Sequence, residues 1–112
     1  MPDNIEVQAE IIRKNGPILA KNRAKRKYLE WYRKVKKCQL MKKYMAEGHE
    51  TAAAQEREAR ADPEYIEVIK GIKEALELEI KADHEIKAAE IQVDIWRTRS
   101  ANDRSERRVY GA

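Results

Sequence analysis

The chain is predicted to be all-α: a long antiparallel helical hairpin, coiled-coil-like, with a short N-terminal helix, assembling with copies of itself into a homo-oligomeric bundle. Three observations carry this. Charged residues make up 39% of the 112 residues, with only four Gly, a composition rich in Ala, Glu, Lys, Arg and Ile that suits long helices. Aromatic residues are 6% and Phe is absent, which leaves too little for the core of a sandwich, barrel or α/β fold. The apolar residues also recur at regular helical spacing, which separates the chain from a disordered polyelectrolyte. A chain of this length makes one domain.

The elements follow in order from their punctuation. Residues 1–16 predict a short helix, with Asp3 and Asn4 as cap and Glu6 in the first turn, stopped by Asn15-Gly16-Pro17. Residues 17–48 predict a basic helix ended by Gly48, and residues 49–62 an Ala-rich connector or short helix. Asp62-Pro63-Glu64 is the strongest start signal in the chain: a capping carboxylate, Pro at the first helical position, and an acid in the positive first turn. Residues 63–99 then predict a long acidic helix, and residues 100–112 an Arg-rich tail with little to bury, mobile or only partly helical.

The two long helices carry different patterns. On the basic helix Ala24, Tyr28, Trp31, Val35, Cys38 and Met45 form one stripe, widened by Tyr32 and Met41, and this is the expected packing face. On the acidic helix Val68, Ala75, Ala82, Ala89 and Trp96 recur every seven residues, with Ile72, Ile86 and Val93 at the other core position and Glu79 interrupting it. A second stripe contains Ile69, Leu76, Ile80, Ala88, Ile91 and Ile95. A helix of ~37 residues spans ~55 Å and the basic helix only ~46 Å, so one chain does not enclose both stripes. The expected interface between copies is therefore Ile69, Ile72, Leu76, Ile80, Ile86, Ile91, Val93 and Ile95.

Charge is segregated along the chain. Residues 13–45 carry thirteen bases and one acid, residues 46–96 six bases and fourteen acids, and the net of +4 is what remains after cancellation. Such blocks imply a partner, internal or external. Arg23, Lys25, Lys27, Lys34, Lys36 and Lys43 flank the expected apolar stripe, where Glu74, Glu77, Glu85 and Glu90 of the acidic helix are their expected complements. Arg26, Arg33 and Lys37 lie opposite the stripe and are the candidate phosphate-binding row. Arg97, Arg99, Arg104, Arg107 and Arg108 make a second basic feature, of a kind that becomes ordered on nucleic acid. Tyr28, Trp31 and Tyr32 lie amid cations, where rings can stack on unpaired bases, but as members of the one apolar face they are read as core, and Tyr44 as the more exposed stacking ring.

Little points to catalysis or metal. Cys38, the single cysteine, excludes an internal disulfide and suits a reducing cytoplasm. It has no His in a defined relation to it. His84 has Ile80, Lys81, Lys87 and Ala88 as helical neighbours, and His49 stands alone after Gly48. No helical Glu-x-x-His pair or glycine-rich phosphate loop appears. The expectation is a non-enzyme with no cofactor and no metal. No apolar run approaches ~18 residues and the acidic start lacks a signal-peptide core, so a cytoplasmic protein with no membrane partner is expected.

The segment ADPEYIEVIKGIKEALELEIKADHEIKAAEIQVDIWRTRSANDRSERR resembles small helical proteins encoded by bacteriophages among their recombination and replication genes. The shared features are the Asp-Pro-Glu-Tyr helix start, the spaced Ala and Glu, and the terminal Trp-Arg-Thr-Arg with further Arg. This covers the C-terminal half; the basic helix lies outside it. The resemblance implies an accessory role near DNA and transfers no active site. Two classes of function follow: an oligomeric nucleic-acid-binding accessory protein, or a protein-interaction module, adaptor or inhibitor of a host protein, that binds no nucleic acid.

Overall fold

The computed structural model describes residues 5–110, with the Tyr110 side chain left aside. Three helices account for nearly all of them: α1 (Ile5–Ala46), α2 (Ala52–Ala61) and α3 (Pro63–Tyr110). No strand occurs among the described residues. The expected cap at Asp3 and Asn4 lies outside them.

α1 is one helix where the sequence predicts two. Asn15-Gly16-Pro17 does not stop it, and Pro17 lies inside. A proline normally drives the preceding residue out of helical geometry by clashing with its backbone N–H and, above all for branching side chains, its Cβ. Gly16 has no Cβ and does not adopt positive φ, so the Cβ part of that clash is missing. Pro17 still cannot donate to the Arg13 carbonyl, but both residues are exposed and water repairs the loss. The Asn15 side chain, which the stop signal assigned to a turn, instead donates to the Ile11 carbonyl one turn back, at 2.9 Å.

The other ends follow their signals. His49 N–H reaches the Tyr44 carbonyl at 3.1 Å across Gly48, whose φ of 105° is open only to glycine at little cost. Thr51 Oγ1 caps α2 by accepting from Ala54 N–H, and Asp62 Oδ1 caps α3 by accepting from Glu64 N–H at 2.8 Å. Asp62 is nearly fully buried, and its second oxygen accepts from the Tyr44 hydroxyl at 2.6 Å, with Lys43 Nζ at 3.6 Å. The Tyr44 bond, the Glu64 amide and Lys43 together hold the Asp62 carboxyl below its ordinary value, while the same bond pushes the Tyr44 hydroxyl up to about 12. Tyr44 is therefore a clamp between α1 and the start of α3 rather than an exposed stacking ring.

At the C-terminus the structure corrects a second expectation. Residues 100–110 continue α3, although residues 101–109 are all exposed. Ala101, Arg104, Glu106, Arg107 and Arg108 are good helix formers, and α3 supplies a nucleus already formed, so propagation alone is needed.

The chain divides into two compact units, Ala20–Glu79 and the pair of segments Met1–Leu19 with Ile80–Ala112. Within Ala20–Glu79, α1 and α3 run antiparallel. Arg26 meets Glu79, Leu29 faces Gly71, Lys36 meets Glu64 and Tyr44 meets Asp62. Ala75 is completely buried between the Leu29 and Arg26 contacts, and Glu79 is buried beside it. In the other unit Ala82, Ala89 and Gln8 are buried, with Ile11, Ile12, Ile86 and Val93 half-buried. The heptad predicted for α3 is thus its packing seam, except that Trp96 at its end is exposed. Ile72, Ile86 and Val93 are half-buried on that seam and so do not belong with the outward row Ile69, Leu76, Ile80, Ile91 and Ile95, all exposed.

α1 is turned the other way from the sequence expectation. Its buried positions are Gln8, Asn22 and Leu40, while of the expected stripe Ala24, Tyr28, Trp31, Cys38 and Met45 are exposed and Tyr32, Val35 and Met41 half-buried. Two causes act together. The row of small residues on α3 lets a helix approach closely only with modest side chains, which Tyr28 and Trp31 are not. Glu79, sitting in that row, must have countercharge before it can be buried. Arg26 provides it with Nε at 2.6 Å, and Arg23 Nε adds a contact at 3.3 Å.

Candidate nucleic-acid interface

With the aromatic stripe outward, its neighbours define a groove in the unit Ala20–Glu79. Lys27, Trp31, Lys34 and Cys38 are spaced i, i+4, i+7, i+11 and share one face of α1. Across from them α3 presents Tyr65, Ile69 and Ile72, and α2 presents Arg60. Two adjoining hollows result. One of about 590 Å³ is lined by Lys27, Glu30, Trp31, Arg33 and Lys34 with Ile69 and Ile72. The other, of about 580 Å³, is lined by Arg33, Lys34, Lys37, Cys38, Arg60 and Tyr65. Arg33 and Lys34 form the wall they share.

The electrostatics are one-sided. Lys27, Arg33 and Lys34 have no ion pair among the described residues. Lys37 and Arg60 share a single acid, Glu56, at 3.3 and 2.7 Å, so one positive charge there is left over. Glu30, the one acid in the lining, is bound by Arg26 at 3.0 Å. Apolar walls beneath surplus cations concentrate the field on whatever enters.

Of the row expected to bind phosphate, Arg33 alone stands ready in the groove. Arg26 faces inward, its guanidinium held between Glu79 and Glu30 and its pKa raised by those bonds. Lys37 lines the groove but is tied to Glu56. The expected rim pairs also shift. Arg23, Lys36 and Lys43 do pair across helices, but with Glu79, Glu64 and Asp62 rather than Glu74, Glu77, Glu85 and Glu90. The sequence expectation assigns Lys27 and Lys34 to the packing rim and Trp31 to the core rather than to this groove, and it does not single out Arg60 or Tyr65. The i, i+4, i+7 run of Lys27, Trp31 and Lys34 was the available signal.

The terminal basic feature lies in the other unit. Arg97, Arg104 and Arg107 border a hollow of about 340 Å³ along α3 with Trp96, Ser100 and Asp103. Arg97 approaches Asp94 at 3.9 Å. Arg99 and Arg108 are exposed but do not line it. The helical spacing of 97, 104 and 107 selects these three.

Among the described residues no cluster of three His, Cys, Asp or Glu side chains is arranged to hold a metal, and no helix is long and apolar enough to cross a membrane. His49 packs its ring edge against Tyr44 at 5.7 Å, and His84 is exposed. No family model, curated protein or solved structure matches this chain.

Proposed function

We propose that this chain is a non-enzymatic helical protein that associates with copies of itself and binds nucleic acid through basic surfaces. The groove around Arg33 is its principal contact, and the face of Arg97, Arg104 and Arg107 a second. The observation that carries this reading is the surplus of cation in the groove: Lys27, Arg33 and Lys34 have no ion-pair partner among the described residues and stand beside exposed aromatic surface. The resemblance of the C-terminal half to phage helical proteins suggests recombination or replication as the setting.

Binding of this kind is governed by counterion release. If about four phosphates are neutralised, affinity for a labelled oligonucleotide should fall roughly 50- to 150-fold between about 50 and 200 mM salt. The double variant Arg33→Gln/Lys34→Gln should bind about tenfold more weakly at low salt, with the logarithmic salt slope shallower by about 2. Affinity indifferent to salt, or unaltered in that variant, would remove the groove from the account.

Self-association rests on the outward row of α3, where Ile69, Leu76, Ile80, Ile91 and Ile95 are exposed at helical spacing. A second copy offers the same row, and covering its remaining apolar surface is worth about 25 cal/mol per Å². Light scattering is expected to report a dimer or larger species, and Leu76→Glu/Ile80→Glu to report the single-chain mass with helix content kept. A wild-type chain that is monomeric when concentrated would contradict this. The same row favours the second reading, a module for a different protein, and a stoichiometric partner retained after nuclease treatment would support that instead.

A further inference from the structure

We infer that the groove in Ala20–Glu79 takes single-stranded nucleic acid, with Trp31 as a stacking platform for an unpaired base. This deepens, and rests on, the reading of the groove as a nucleic-acid interface. Trp31 is 60% exposed and Tyr28 58%, an unusual place for rings on a chain with so few of them. They are also ordered relative to one another. Tyr28 and Trp31 lie 6.0 Å apart with planes tilted by 44°, and Tyr28 and Tyr32 lie 6.1 Å apart and nearly parallel, at 11°. Mutual contact of this sort holds the rings in place before a ligand arrives.

A duplex satisfies its base faces internally, so it gains from the lysines and arginine of this groove but not from the rings. An unpaired strand gains from both, with phosphates on Lys27, Arg33 and Lys34 and base faces on the aromatic rings. The second hollow repeats the combination, with half-buried Tyr65 beside Arg33, Lys34 and Lys37. Each hollow falls within the ~300–1,000 Å³ range of small-ligand sites, and Arg33 and Lys34 line both, with Trp31 in one and Tyr65 in the other. Stacking is tolerant of base identity because every base has a π-face, so pyrimidine and purine strands should both bind.

The test compares an oligo-dT strand, a duplex of equal length and heparin as a polyanion without bases, on wild type, Trp31→Ala and Trp31→Tyr. The strand should bind about tenfold or more tighter than the duplex. Trp31→Ala should weaken strand binding by about 10- to 100-fold while leaving duplex and heparin unchanged, and Trp31→Tyr should recover most of the loss. In a Trp96→Phe background, strand addition should quench the remaining tryptophan emission. Because Trp31 is exposed, helix content should be the same in all variants. Equal affinity for strand and duplex with Trp31→Ala indifferent would overturn the single-strand inference alone. Binding of none of the three polyanions would overturn it together with the interface reading. A loss in Trp31→Ala accompanied by a fall in molar mass would also overturn it, because the ring would then be a contact between copies.

Discussion

Replacing Ala75 by Leu is expected to lower stability by about 1–3 kcal/mol, which for a chain of this size is a melting midpoint lower by roughly 5–20 °C. Ala75 has no exposed surface. One turn before it, a Cβ placed on Gly71 would already stand 3.2 Å from Leu29 Cδ1. One turn after it, Glu79 meets Arg26 at 2.6 Å. Three added carbons at Ala75 must push α1 and α3 apart within their packed seam, stretching the Arg26–Glu79 contact as they do so. Leu at exposed Ala101 serves as the control and should stay within about 0.5 kcal/mol. Thermal denaturation followed by helical circular dichroism reads both. If Ala75→Leu melts with wild type, the small-residue row is not where these helices meet.

The second large effect is lability in acid. Glu79 is held below its ordinary carboxylate value, first by Arg26 and then by Arg23, against the opposing cost of its burial. Asp62 is lowered in the same direction, by the Tyr44 hydroxyl above all. A carboxylate with a depressed folded-state value binds protons more readily in the unfolded chain. Its contribution is therefore complete above the unfolded value near ~4 and is lost as pH falls through the folded value. Melting midpoints should be level from neutral pH to about 5 and fall steeply below about 4. Glu79→Gln should melt lower by more than about 5 °C at neutral pH, since it leaves Arg26 facing a neutral amide. The gap between it and wild type should close on acidification. A gap that stays constant from pH 7 to pH 3 would mean that the charge of Glu79 contributes nothing to holding the helices together.

Both expectations depend on the same feature, a helix contact built around small and polar groups instead of large apolar ones. Among the described residues the buried apolar side chains are Leu40 and four alanines, while fourteen large apolar residues are exposed. An assembly partner for α3 and a ligand for the aromatic face of α1 are two uses of that exposed surface, and they meet at Ile69, which belongs to the outward row and also lines the groove. The Leu76→Glu/Ile80→Glu and Trp31→Ala variants address them independently.

Local chemistry made much of this protein legible from its residues alone. Asp62-Pro63-Glu64 marks a helix start because a carboxylate and a missing N–H suit the first turn wherever that turn sits. Gly48 ends α1 because positive φ is cheap only for glycine, and the Ala75, Ala82 and Ala89 period marks a seam because small side chains permit close approach. Three things were decided only by tertiary structure. Whether Gly16-Pro17 ends a helix depends on whether flanking turns continue the helix and water reaches the freed carbonyl, not on the dipeptide. Whether the Arg tail is helical depends on its being the continuation of α3. Which face of α1 turns inward could not be found by counting apolar residues, since the count favours Tyr28, Trp31 and Val35. The choice was made by Glu79 on the other helix, a buried charge whose requirement for Arg26 outweighs the burial of rings that the narrow alanine row has no room to accept.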